Sequence, residues 1–317
     1  MENKPAENKI PRIDLPRPTL FAASGFVLLA VIGLWVCSLL ALLMPGASLL
    51  TVSGVINVVY YALFAVLPIA LYAHRRPGVS ESLRLNPVPL FPMIFILLLA
   101  VVTTFVTSSI TALWSLLLDA LGFTMDVGTF VPATRGELTA SIIVIAAMPG
   151  VCEELLFRGA VMSAWETRGT KHAIVISAIL FALMHGNIYG IPAYIVAGLL
   201  AGYLVFTLDS LYAGMIFHMV YNTACLVINY IVSAGSEATD AALAAAAEAD
   251  LLTTLVALVV DIGVGCLMIA MTMFTLNLRR RIMGIEPIPR TRMPLAKSEW
   301  LMLALAVLPM IATIFIL

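Results

Sequence analysis

Residues 91–121 read FPMIFILLLAVVTTFVTSSITALWSLLLDAL, with Asp119 as their one charged side chain. At about 1.5 Å of rise per helical residue, the run outlasts the roughly 30 Å hydrocarbon core of a bilayer, so it must tilt or protrude. Further apolar runs flank it, at 20–44, 49–73, 137–165, 172–187, 191–208, 210–233, 251–276 and 299–317. The fifth and sixth, counted in chain order, are short. Hydrophobic residues make up 62% of the 317 and charged residues 11%, against roughly a quarter charged in soluble domains. The predicted class is all-α: a polytopic membrane helix bundle of about nine (eight to nine) transmembrane helices.

Charge placement supports that count. With the N-terminus in the cytoplasm and alternating sides, every Lys and Arg except Arg135 and Arg158 falls on the cytoplasmic side, as the positive-inside rule expects. The acidic 234–250 segment falls outside. The predicted topology is N-in and C-out, in the plasma membrane of a prokaryote, with the first hydrophobic run retained as an anchor. The lipid bilayer is thus one partner, and without a basic groove nucleic acid is not. Cys37, Cys152, Cys225 and Cys266 lie inside apolar runs without paired spacing, as small buried side chains do.

Linkers divide the chain into three blocks. Residues 1–136 carry a polar tail and three spans, 137–234 form a compact central block, and 235–317 hold an exterior loop, two spans and a basic linker. The central block is where ionisable groups enter the membrane, at a cost that demands a partner or a purpose. Its first span contains Pro149-Gly150-Val151-Cys152-Glu153-Glu154-Leu155-Leu156-Phe157-Arg158. Glu154 and Arg158, four apart, share a helical face and can pair. Glu153 points elsewhere with no local cation. Pro149 removes a backbone hydrogen bond one turn earlier, and Gly150 loosens the helix further. The next span ends in Phe181-Ala182-Leu183-Met184-His185, and the seventh carries His218-Met219-Val220-Tyr221-Asn222.

Counting helical rise from the cytoplasmic ends sets Glu153, His185 and Asn222 about 20 Å deep and His218 about 14 Å deep. Four polar side chains from three antiparallel spans fall in one layer. A carboxylate and an imidazole at one depth can orient and deprotonate a water. A second imidazole and an amide can stabilise the oxyanion formed when that water attacks a carbonyl.

These motifs resemble those of the CAAX prenyl protease 2 and bacteriocin-processing (CPBP, or Abi) family of intramembrane proteases. That family carries Glu-Glu-x-x-x-Arg, then Phe-x-x-x-His, then His-x-x-x-Asn, matched here by Glu153-Glu154…Arg158, Phe181…His185 and His218…Asn222. The resemblance spans about 153–222. It implies an endopeptidase acting on a membrane-associated protein or peptide precursor near the cytoplasmic leaflet, a prenylated C-terminus being one option. By position, Glu153 becomes the general base, His185 its partner in holding water, and His218 with Asn222 the oxyanion site. Glu154 and Arg158 brace the helix. A metal-free mechanism stands ahead of one using a single divalent metal such as zinc, whose ligands would be Glu153, His185 and His218.

Two other function classes compete. A non-catalytic membrane immunity or scaffold protein of the same fold would keep the polar layer without using it. An ion-coupled transporter also buries carboxylates, but commonly shows duplicated halves, and none is visible. Asp261, inside the eighth run, calls for a partner on a neighbouring helix.

Overall fold

Thr134 and Glu137 open the helix that carries the two glutamates. The Thr134 hydroxyl accepts from Glu137 N, and the Glu137 carboxylate accepts from Ala133 N, closing a reciprocal cap. Similar local logic builds the whole molecule, a computed structural model describing residues 16–44, 49–76, 78–123, 130–233, 235, 250–290 and 294–316. Lys4, Lys9, Arg12, Arg292 and most of the acidic 234–250 segment lie outside the described residues.

Every regular element described is helical. Eight helices are long and apolar enough to cross a membrane: α1 (Leu20–Ala41), α2 (Leu50–Arg75), α3 (Leu90–Ala120), α4 (Arg135–Arg168), α6 (Ile191–Leu208), α7 (Leu211–Ser233), α8 (Leu251–Ile282) and α9 (Lys297–Ile314). Between α4 and α6 lies the shorter α5 (Thr170–Met184). These nine follow the apolar runs in order, so the eight-to-nine-span bundle read from the sequence is what forms. The chain is an integral, multi-pass membrane protein. Its outer surface is a belt of exposed Leu, Val, Ile, Phe and Met, with α8 the least buried helix.

At 15 residues, α5 is about 22 Å long and cannot cross the hydrocarbon core alone. Its limits are set by glycine: Gly169 precedes it at φ +109°, and Gly186 follows His185 at φ +62°, a region open to residues without Cβ. The Asn187 side chain then accepts from Tyr189 N and Gly190 N and turns the chain into α6.

α7 is central, packing against α3, α4 and α6, while α5 lies along α6, α8 along α3, and α1 along α9. One end of the bundle is knotted together by charge. Glu166, at the end of α4, pairs with both Arg17 and Arg84, and Arg84 also reaches Asp209 in the α6–α7 turn at 3.1 Å. Arg84 O accepts from Leu211 N, and Thr170 N donates to Ile288 O. The basic segments therefore gather at one end, as the alternating path requires. Arg17 and Arg84, read from the sequence as topology charges, prove to be buried partners of a carboxylate. Asp261 finds its neighbour on α3, where Ser109 donates to it.

Candidate active site

Pro149 shapes the ground on which the glutamates stand. Lacking an N–H, it leaves Ile145 O one turn back without its helical donor, and the backbone over Ile142–Ala147 widens into a π turn in which Met148 N donates to Ile143 O and passes over Val144 O. Two asparagines from other helices fill the gap. Asn57 Nδ2 donates to Val144 O at 3.0 Å, and Asn222 Nδ2 lies 3.4 Å from Ile145 O. A second π segment, Leu155–Met162, follows the glutamates, so Glu153 and Glu154 sit on a short α-helical stretch between two widened turns. Such interruptions are common at functional sites.

Glycines let the helices close on that stretch. A Cβ on Gly150 would lie 2.5 Å from Met219 Cγ and 3.0 Å from Met219 N, and one on Gly214 would lie 2.7 Å from Glu154 Oε2. Gly198 and Gly202 allow α6 to lie against Ala178 and Ile174 of α5, the close packing their GxxxG spacing implies.

Glu154 is 0% exposed and Arg158 1%. Glu154 Oε1 receives Arg158 Nη1 at 2.6 Å and His218 Nδ1 at 3.0 Å. Arg158 Nη2 donates to Gly198 O at 2.8 Å, and its guanidinium lies over the Phe181 ring, 4.7 Å from the centroid. The expected Glu154–Arg158 brace exists, and it also holds an imidazole. Because a carboxylate only accepts, the His218 Nδ1 carries the proton. Its Nε2 faces Glu153 Oε2 at 3.9 Å.

Glu153 is held from the other side. Tyr61 of α2 donates its hydroxyl to Glu153 Oε1 at 2.5 Å, while Oε2 is buried without a hydrogen-bond partner. His185 caps the end of α5, its Nδ1 donating to Phe181 O at 2.8 Å, so in the neutral ring Nε2 is an acceptor. Tyr194 of α6 stacks on His185 with centroids 4.1 Å apart. Phe181 makes T-shaped contacts with both imidazoles, its centroid 4.8 Å from that of His185 and 5.5 Å from that of His218. A cavity of about 40 Å³ is walled by His185, His218, Asn222, Tyr194 and Tyr221, room for one or two waters.

Of the four residues singled out from the sequence, three therefore share one cavity wall, and the fourth, Glu153, approaches His218 directly. Tyr61 and Tyr194 escaped the sequence reading. A signal existed: counted from the same end of the bundle, each lies about 21 Å along its helix, in the layer of Glu153. Among the described residues, no three His, Cys, Asp or Glu side chains group closely enough to hold a metal ion.

Residues 135–224 match the family model described as type II CAAX prenyl endopeptidase, Rce1-like. The matched segment runs from the start of α4 through Asn222, bearing out the resemblance drawn from the three short motifs. It supports a peptidase of the CAAX type. No curated protein and no solved structure matches the chain.

Proposed function

We propose that the protein is an intramembrane endopeptidase hydrolysing peptide bonds of a membrane-associated protein or peptide precursor. The observation that carries this reading is the Glu153 carboxylate. One oxygen is fixed by Tyr61, and the other is buried, unpartnered and 3.9 Å from His218 Nε2. That separation is too long for a direct hydrogen bond. A water about 2.8 Å from both atoms would sit at an angle of about 90°, near its own preferred geometry.

Glu153 accepts the proton as this water attacks the carbonyl carbon, and returns it to the departing amine. His185 Nε2 accepts from the water and helps to aim it. The oxyanion is received by the Asn222 amide and by His218, which donates from Nε2 in its cationic form with Glu154 as counter-charge. Arg158 holds Glu154 in place through Nη1.

Mapping protein cut ends in membranes from cells carrying wild-type or Glu153→Gln chain tests this reading. A set of cut ends should disappear with Glu153→Gln while their precursors accumulate. Identical maps at equal protein levels would favour the non-catalytic scaffold. Cleavage by the purified protein should also withstand a strong divalent-metal chelator; loss of activity restored by zinc would overturn the metal-free mechanism.

A further inference from the structure

Beside the catalytic cavity, and sharing Tyr194 and Tyr221 with it, lies a far larger open cleft of about 1150 Å³ between α3 and α7. Its α3 wall is a row of hydroxyls, Thr104, Ser108, Thr111 and Ser115, at spacings of four, three and four that place them on one helical face. Thr104 and Ser108 donate their own protons to carbonyls one turn back, Ala100 O and Thr104 O. What they offer the cleft is therefore oxygen lone pairs. The α7 wall carries Cys225 and the Asn229 amide, which supplies donors.

A lipid chain has no use for such a lining, whereas peptide N–H and C=O groups match it. From Thr104 to Ser115 the helix rises about 16 Å, the span of about five residues of extended chain. The lining extends to Asp119 and Asn187, at the far ends of α3 and α5, and to Asn229 in the last turns of α7. These helices begin at the Arg84–Glu166–Asp209 cluster. The cleft thus occupies the half of the bundle opposite the basic end.

We infer that this hydroxyl-lined cleft is a water-filled binding site for about five residues of extended polypeptide, delivered to the catalytic cavity from the side opposite the basic end. Tyr194 and Tyr221 stand where cleft and catalytic cavity meet, and must part for the scissile bond to reach His218. The cleft stands on its own geometry; the peptide as its occupant rests on the peptidase reading.

Cys225 reports on both. The full-length chain, reconstituted in lipid vesicles, is treated from one face at a time with a membrane-impermeant sulfonated thiol reagent, and the label is located by mass spectrometry. Met283→Cys, at the exposed end of α8, identifies the basic face. Cys225 is expected to react only from the opposite face, and Thr111→Phe, which fills the cleft, should slow it at least ten-fold. Labelling from the basic face, no labelling from either, or indifference to Thr111→Phe overturns the cleft. For the occupant, the cut ends lost with Glu153→Gln should also be lost with Thr111→Phe at equal protein levels. Their persistence overturns the peptide route. Should Glu153→Gln remove no cut ends, the peptidase reading and the peptide occupant fall together, while the thiol result still judges the cleft.

Discussion

Glu153 and Glu154 are neighbours in the chain, yet their surroundings give them opposite duties. Glu154 Oε1 is engaged by both Arg158 and His218, whereas Glu153 Oε1 meets the neutral Tyr61 hydroxyl and its Oε2 stands 3.9 Å from His218 Nε2. Removing the charge from each should therefore produce different defects. Glu154→Gln leaves the buried Arg158 without its counter-ion, and breaking a buried pair from one side costs about 3–5 kcal/mol. A large drop in the thermal unfolding midpoint in detergent is expected. Glu153→Gln keeps an oxygen for Tyr61 to donate to, so the midpoint should stay within a few degrees while cleavage vanishes. Tyr61→Phe is intermediate. It leaves a buried carboxylate oxygen unsatisfied, about 1–3 kcal/mol of stability, and loosens the general base. A fall in kcat of about ten-fold, equivalent to roughly 1.4 kcal/mol of transition-state stabilisation, with KM little changed, would show the positioning role. An unchanged kcat would reduce the tyrosine to packing.

At the scale of helices, the site depends on α4 and α7 approaching more closely than side chains ordinarily permit. Gly150 meets the Met219 backbone and Gly214 meets the Glu154 carboxylate. In Gly214→Ala the new methyl would lie 2.7 Å from Glu154 Oε2 and 2.8 Å from Val205 Cγ2, inside contact distance of both. The carboxylate must then swing away from His218 or Arg158. Retained helical circular dichroism with cleavage reduced at least ten-fold is the expected result, and full activity would show that the carboxylate has room to move. Pro149 explains why α4 widens where it does: Ile145 O, which the proline leaves without a donor, is met by Asn222, and Val144 O, passed over by the widened turn, by Asn57. Asn222 is thus partly a repair to the α4 backbone, a duty that its spacing from His218 did not suggest.

For the molecule as a whole, the charge knot at the basic end does what no single helix can, tying the α1 approach, the α2–α3 connection, the end of α4 and the α6–α7 turn together. Glu166 is buried between two guanidinium groups. Glu166→Gln would leave Arg17 and Arg84 facing each other with half their compensation gone, again about 3–5 kcal/mol by the usual cost of a broken buried pair. The loss should appear as a lowered unfolding midpoint with the active-site chemistry otherwise intact, scored as unchanged KM for the folded fraction. A midpoint equal to wild type would mean that the knot adds nothing beyond helix packing.

The chain's own order of residues determined the nine helices, their alternation, and the layer in which Glu153, His185, His218 and Asn222 meet. Bilayer thickness and helical rise are fixed lengths, and counting along one strand of sequence is enough to apply them. It did not determine who touches whom within that layer. That Glu154 holds His218, that Tyr61 from a distant helix holds Glu153, that Arg84 is spent on Glu166, and that the wide cleft occupies the far half are facts of rotation and sideways packing. Rise along a helix sets depth, but the azimuth of each helix and its choice of neighbours come from how glycines, prolines and buried charges fit across the bundle. Those fits exist only once every helix is in place.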